Sequence, residues 1–315
     1  MPFLTDEVFE GADGYLFLAR GSNDVVGLFS QTDEARAALL RQWVDLLERR
    51  GRRLNELGIT YRHCFIPDKL SVYREEAGEL WAGLSSPAEA IEALKEPSLD
   101  PILVSLTSHL RQEKVAHQVF FPNDTHWTVN GCFSAYQQLC ASLGVEARDD
   151  LIKAKRGQVE LAGDLGGKLV PLRFGRFEFG SFGRSATRTY ANRLVSLRET
   201  GELANHVTLH VGSIVQFANS RPNSARRVLL FGDSFSEYRP HFLTGLFADT
   251  FAELMFVWSS NIDYSIVDSF KPDIVVSEMA ERFMARLPAD DSDVIARAEQ
   301  KAIQALAAAA KRSTA

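Results

Sequence analysis

Short apolar runs that break into small polar turns recur along this chain with helix-length segments between them, and that succession limits the fold more than any other feature. The runs fall at residues 15–18, 59–66, 115–121, 228–231, 254–258 and 272–278. Each is too short for a buried helix and is bounded by Gly, Pro, Asn, Asp or Ser, so each reads as a strand. Strands alternating with helices predict an α/β fold: a mostly parallel sheet with helices on both faces. In such sheets ligands sit at the rim formed by the carboxyl ends of the strands. The polar turns at those ends therefore matter most.

Helix signals fill the intervals. Thr32 is an N-cap with Asp33 and Glu34 in the first turn, and the helix runs to residue 57, where Gly58 stops it. Leu39, Trp43, Leu47, Leu54 and Leu57 form its apolar face. Ser86-Pro87 places a capping serine before a first-turn proline, and residues 102–113 and 129–143 read as further helices. A helix directly after Ser234 carries Leu243, Phe247 and Leu254 on one face. Between about residues 150 and 224 the pattern changes to frequent glycine and β-type alternation, which predicts an inserted β-hairpin region within a single domain of residues 1–315. That region holds Lys168, Arg173, Arg176, Arg184, Arg188 and Arg193 against Glu178, a candidate face for an anionic substrate.

Composition removes several classes of function. The 35 basic and 41 acidic residues give a formal charge of -6 with no long basic run, so nucleic acid is not an expected partner. Cys64, Cys132 and Cys140 form no CxxC pair and lie in apolar surroundings, the pattern of buried free thiols and not of a zinc site. No run approaches the roughly 20 apolar residues of a transmembrane span, and the first residues lack a signal-peptide pattern. These point to a cytoplasmic protein, or a periplasmic one if an export signal has been removed.

Two of the polar turns carry reactive groups. Val228-Leu-Leu-Phe-Gly-Asp-Ser234 places a serine hydroxyl at a strand end, and Pro122-Asn-Asp-Thr-His-Trp127 places Asp124 and His126 at another. A serine becomes a nucleophile when a base removes its proton, and an imidazole base needs a third group to fix its tautomer and stabilise the imidazolium. The Asp-x-His spacing lets Asp124 fold back onto Nδ1, leaving Nε2 for Ser234. Ser234 is thus the candidate nucleophile, His126 the general base and acid, and Asp124 the orienting carboxylate. The other histidines, at 63, 109, 117, 206, 210 and 241, lack such neighbours, and His241 is the reserve. An acyl-transfer site also needs oxyanion donors. The Ser234 N–H is one, with Ser259, Ser260 and Asn261 as candidates for the second, and Lys69, Tyr73 and Trp127 as candidate substrate contacts.

These motifs resemble the SGNH hydrolase-like proteins of the alginate O-acetyltransferase type, the AlgX/AlgJ-like family. The matching pieces, in family order, are Gly11-Ala-Asp-Gly-Tyr-Leu-Phe-Leu18, Pro67-Asp-Lys-Leu-Ser-Val-Tyr73, Asp124-Thr-His-Trp127, Gly163-Asp-Leu-Gly-Gly-Lys-Leu169, Val228–Ser236 and Pro272–Arg282. The resemblance implies a flavodoxin-like SGNH fold in circularly permuted order, with the Asp-x-His element before the serine, an acyl-serine intermediate, and no metal, nucleotide or other cofactor. It implies O-acetyl transfer to a carbohydrate or polysaccharide hydroxyl from an acetyl donor, with protein partners in a polysaccharide biosynthesis system. Acetylesterase action and a non-catalytic carbohydrate-binding scaffold are the alternatives. The chain departs from ordinary SGNH hydrolases in lacking Gly-x-Asn-Asp after a strand, since its last strand ends in Ser277-Glu278.

Overall fold

A computed structural model of the chain describes residues 3–153, 156–180, 182, 185–200 and 210–313. The described residues form strands Val8–Glu10 (β1), Leu16–Leu18 (β2), Thr60–Ile66 (β3), Arg156–Leu161 (β4), Gly175–Gly180 (β5), Ala186–Ala191 (β6), Ile214–Asn219 (β7), Ser224–Gly232 (β8), Phe251–Trp258 (β9) and Ile274–Ala280 (β10). The central sheet has the order β3-β10-β8-β9-β7-β6. Strands β3, β10, β8 and β9 are parallel, with Ile274 opposite both Thr60 and Val228, and Val228 opposite Leu254. Strands β7 and β6 extend the sheet antiparallel beyond β9. Strand β10 is buried along its whole length, Ser277 and Glu278 included, and β8 from Val228 onward, as strands in the middle of a covered parallel sheet are.

Helices flank this mostly parallel sheet. Asp33–Glu56 packs on β3 with Leu39, Trp43, Leu47 and Leu54 buried, and Thr32 Oγ1 caps it by accepting from the Ala35 N–H at 3.2 Å. Leu57, expected on that face, is the C-cap residue and is 52% exposed, because the helical period ends there. Ser86 caps Pro87–Glu92 as its sequence predicts. Leu243–Thr250 lies against β9 and against Val129–Ser142. Cys64, Cys132 and Cys140 are free and buried. Among the described residues no helix is long and apolar enough to cross a membrane.

Three local readings are corrected. Residues 115–121 are not a sheet strand: Val115 is 86% exposed, and only Phe120 pairs, in a bridge to Trp127. The free edge of β3 is taken instead by residues 102–104, part of the expected helix 102–113. There the His63 N–H donates to Ile102 O at 2.8 Å and the Val104 N–H to His63 O at 2.8 Å, so the helix is only Thr107–Glu113. The helix after Ser234 begins at Leu243, because Glu237 takes a left-handed φ of 60° and Pro240 disfavours helical backbone before it.

The region 150–224 divides in two. Strands β4 and β5 form a separate hairpin, while β6 and β7 join the central sheet.

Candidate active site

Strand β8 delivers the chain to the sheet rim at Gly232, where a Cβ would lie 2.4 Å from Glu278 Oε1 and 2.9 Å from Ser236 Oγ. That crowding comes from the hydrogen bonds that fold the turn. The Asp233 N–H and the Ser236 hydroxyl both donate to Glu278 Oε1 at 2.7 Å. Asp233 in turn accepts from the Phe235 N–H through Oδ1 and from the Ala280 N–H through Oδ2, each at 2.9 Å. The side chains of Asp233 and Glu278 therefore shape the backbone around Ser234 and leave its hydroxyl free for other work. No described residue accepts from the Ser234 N–H.

The facing loop is built from below. Buried Lys69 donates through Nζ to the carbonyl oxygens of Phe121 and Pro122 at 2.9 Å and of Asp124 at 2.7 Å. The Tyr73 hydroxyl accepts from the Val119 N–H at 3.0 Å, and its ring stacks on Tyr15 at 4.7 Å. Trp127, fully buried, meets Phe235 edge-on at 5.1 Å, and the Phe235 ring lies 5.0 Å from the imidazole of His126. From the side, Asn123 Nδ2 bonds the carbonyls of Leu161 and Ala162 at 3.1 and 2.8 Å. Phe177 of β5 packs on Phe121 at 4.3 Å.

These supports bring Asp124, His126 and Ser234 into one hydrogen-bonded series. Asp124 Oδ1 accepts from the His126 backbone N–H at 2.8 Å and lies 2.7 Å from Nδ1, while Nε2 lies 2.7 Å from Ser234 Oγ. A carboxylate at Nδ1 selects the tautomer protonated there and leaves the Nε2 lone pair for the serine hydroxyl.

The electrostatics follow from burial and charge. Burial alone would raise the Asp124 carboxyl, but the His126 imidazole and the N–H groups of His126 and Asp164 outweigh it and hold the group well below the usual carboxylate range. Burial would lower His126, yet Asp124 and then Asp164 outweigh it, so its basicity is raised despite the opposing charge of Arg282. Arg282 is buried over the Phe235 ring at 5.3 Å and pairs with Asp68 at 3.3 Å. Burial lowers Lys69 to about 7.

The remaining candidates have partners within the protein. Lys69, Tyr73 and Trp127 hold the loop by contacts with the protein itself. Ser259 Oγ accepts from the Asn261 N–H at 3.1 Å, Asn261 Oδ1 accepts from the Ala289 and Asp290 N–H groups at 2.9 and 3.1 Å, and Ser260 O accepts from Arg50 at 2.8 Å. These bonds tie the turn to itself, to Arg50 of the helix Asp33–Glu56 and to the segment after β10. The basic residues are not a free face, because Lys168, Arg173, Arg188 and Arg193 pair with Glu7, Glu10, Glu199 and Glu299 at 2.5–2.7 Å, and Arg176 bonds Gln158. Arg184 and His206 lie outside the described residues. His63 is buried against Ser277 at 2.7 Å, His109 bonds Ser134 at 2.6 Å, and the His241 ring lies tilted to that of Phe179 at 6.0 Å. His117, expected in a strand, lies in the turns after Thr107–Glu113, 3.7 Å from Glu113.

Asp164 escaped the reading of individual residues. Its N–H donates to Asp124 Oδ2 at 2.8 Å, its carboxylate takes the Thr125 N–H at 2.7 Å and the Thr125 hydroxyl, and Oδ2 lies 3.9 Å from His126 Nδ1. The signal in the sequence is the family-matching piece Gly163-Asp-Leu-Gly-Gly-Lys-Leu169, in which Gly163, with a φ of 68°, turns the chain toward Asp124. Ligand atoms of Asp124, His126 and Asp164 lie within 4.8 Å of one another, the one set among the described residues that could hold a metal ion. An ion there would compete with the bonds just described.

The family described as SGNH hydrolase-like domain, acetyltransferase AlgX, matches residues 8–172, just over half of the 315 and the half that carries Asp124, His126 and Asp164. No curated protein matches the sequence. Among solved structures, the O-acetyltransferase domain of AlgJ from Pseudomonas putida is 18% identical with a TM-score of 0.55, over 93% of this chain and 99% of that one. PatB1 from Bacillus cereus is 14% identical with a TM-score of 0.58, over 92% and 99%. AlgX from Pseudomonas aeruginosa is 15% identical with a TM-score of 0.51, over 93% of this chain and 66% of that one. At these identities the likeness shows a shared fold.

Proposed function

This chain belongs to the SGNH hydrolase-like family of AlgX-type acetyltransferases, and we propose that it transfers acetyl groups to a carbohydrate hydroxyl through an acyl-serine formed on Ser234. The observation that carries the reading is the series Ser234 Oγ, His126 Nε2, His126 Nδ1, Asp124 Oδ1, with 2.7 Å between each hydrogen-bonded pair. In the first half-reaction Ser234 Oγ attacks the carbonyl carbon of an acetyl ester while His126 Nε2 takes its proton. The tetrahedral oxyanion collapses, the carbon–oxygen bond to the leaving alcohol breaks, and His126 returns the proton to that alcohol. In the second half an acceptor hydroxyl attacks the acetyl-serine while His126 accepts its proton, the second tetrahedral oxyanion collapses, the bond from the acyl carbon to Ser234 Oγ breaks, and His126 returns the proton to Ser234. Asp124 stays ionised throughout and stabilises the imidazolium. The Ser234 N–H supplies an oxyanion donor.

The solved structures of the O-acetyltransferase domain of AlgJ and of PatB1 with a sulfonyl adduct are consistent with this chemistry. A sugar acceptor gives transferase action and water gives esterase action from the same intermediate. The test is 4-nitrophenyl acetate with wild type and Ser234→Ala, together with mass spectrometry of oligosaccharides incubated with the enzyme and the ester. A mass gain of one acetyl on Ser234 and acetylated oligosaccharide are expected. Equal rates in wild type and Ser234→Ala remove the serine mechanism. Acetate alone across a broad acceptor panel assigns an esterase, and sugar binding without acyl-enzyme assigns a scaffold.

A further inference from the structure

We propose that Asp164 is a positioning residue for the Ser234–His126–Asp124 series, acting through Thr125 and Asp124 to fix the imidazole and adding a second negative charge beside it. The inference rests on the acyl-transfer reading of Ser234. It starts from the shape of the loop. Asp124 and His126 are separated by one residue, so the backbone of Thr125 sets the angle between their side chains. Asp164 holds that residue at two points, its N–H at 2.7 Å and its hydroxyl. The Asp164 N–H then reaches Asp124 Oδ2 at 2.8 Å. With two N–H groups of His126 on Oδ1, Asp124 has both oxygens occupied by donors and cannot rotate away from the imidazole without losing one.

The carboxylate does more than brace. Its Oδ2 lies 3.9 Å from His126 Nδ1, too far for a hydrogen bond and near enough for charge to act. The charged groups acting on His126 from the elements around it are Asp124, Asp164 and Arg282, and Lys69 lies under both aspartates. Removing Asp164 leaves Arg282 opposed by one carboxylate fewer, so the imidazole should give up its proton more readily. The Asp164 side chain is 40% exposed and solvent screens part of this effect.

Two variants separate bracing from charge. Asp164→Asn keeps an acceptor for the Thr125 N–H and an amide that can face the Thr125 hydroxyl, while Asp164→Ala removes both contacts. With 4-nitrophenyl acetate as probe, Asp164→Ala should lower kcat about tenfold or more with little change in KM, since Asp164 acts on the base and not on the substrate. Asp164→Asn should recover most of kcat and move the acidic midpoint of kcat/KM down by about 0.5–1 pH unit. Thr125→Val, which removes the hydroxyl contact alone, should lower kcat without moving the midpoint, and supplies the bracing test if Asp164→Ala does not fold. Wild-type kcat and midpoint in Asp164→Ala, with Ser234→Ala inactive, would overturn the inference and leave the serine mechanism standing. Activity persisting in Ser234→Ala removes the mechanism itself. Loss of wild-type activity to a chelator, restored by added Zn²⁺, would assign Asp124, His126 and Asp164 to a metal and also overturn it.

Discussion

Lys69 Nζ lies 2.7 Å from the carbonyl oxygen of Asp124, so this candidate substrate contact holds the loop of His126 from beneath. With the carbonyls of Phe121 and Pro122 it satisfies three oxygens near the site. Lys69→Met keeps the bulk and leaves those oxygens without a donor, at a cost of about 2–4 kcal/mol once relief of the buried charge is allowed for. Thermal unfolding should show a clear drop in Tm, and kcat on an acetyl ester should fall with it. An unchanged Tm would mean that water or another donor replaces the ammonium. The pH dependence has a definite sign. The folded value of about 7 lies below that of an unfolded lysine, so the unfolded chain binds more protons above it. This group's burial penalty is full below about pH 7 and is relieved as pH rises toward 10.

Asp124 and Asp164 stabilise the imidazolium of His126, so the base holds its proton to higher pH than a free imidazole does. Because the unprotonated form is the one that accepts from Ser234, kcat/KM should fall as pH is lowered through a midpoint above about 6.5. Asp124→Asn removes the nearest charge and the tautomer selection, and should lower kcat by about 10³-fold or more. A midpoint below 6 in wild type would contradict the charge arrangement around the imidazole.

How far the sequence disclosed this site depends on which interaction places each residue. The approach of Ser234 to His126 follows from chain-local signals: an apolar run ending in Gly232-Asp233, and a histidine two residues after an aspartate on another turn. The supports do not. Lys69 and Tyr73 read as candidate substrate contacts on a strand-end loop because a buried lysine bonded to backbone carbonyls has no sequence pattern of its own. Residues 115–121 resemble a strand in composition, but whether a run joins a sheet depends on a free edge, and residues 102–104 occupy that of β3. Asp164 is 40 residues from Asp124 and is joined to it by a backbone N–H, a contact that spacing cannot reveal.

Glu278 offers one oxygen to the Asp233 N–H and the Ser236 hydroxyl, while its buried Oε2 has no hydrogen-bond partner among the described residues. Burial, reinforced by the charge of Asp233, raises its pKa well above the ordinary carboxyl value. A carboxyl raised on folding contributes stability below its unfolded value of about 4.3 and loses it as pH rises toward the folded value. Glu278→Gln keeps the acceptor and removes the ionisation. Its stability should therefore be flatter than that of wild type from about pH 5 to 8 in urea unfolding. The same pH slope in both would show that Glu278 ionises freely in the fold.

Arg50 is buried and bonds Asp290 through two nitrogens, each at 2.7 Å, while Asn261 Oδ1 fixes the backbone of Asp290. Removing one partner of a buried pair leaves an uncompensated charge, so Asp290→Ala should destabilise by about 3–5 kcal/mol. Asn261→Ala should lower Tm less and leave kcat near wild type where the variant is folded. A loss of kcat of a hundredfold or more, at unchanged Tm, would instead make Asn261 an oxyanion donor.

Gly163 tests whether the loop tolerates displacement. Its φ of 68° disfavours any side chain, and a Cβ would lie 2.6 Å from Asn123 O and 3.0 Å from both Asp124 Cβ and Oδ2. Asn123 O cannot readily retreat, because it accepts from the N–H groups of Leu165 and Gly166 at 3.3 and 3.0 Å. Gly163→Ala should therefore push on Asp124, the group that aims His126. Gly58→Ala is the matched control: φ is 72°, nothing lies within 4 Å of the new Cβ, and the site is elsewhere. Both variants carry about 1–2 kcal/mol of backbone strain and should lose Tm. Only Gly163→Ala should also lose kcat, by about tenfold or more, since small displacements of a catalytic group carry costs of that order. Equal kcat in the two would mean that the position of Asp124 does not limit the rate.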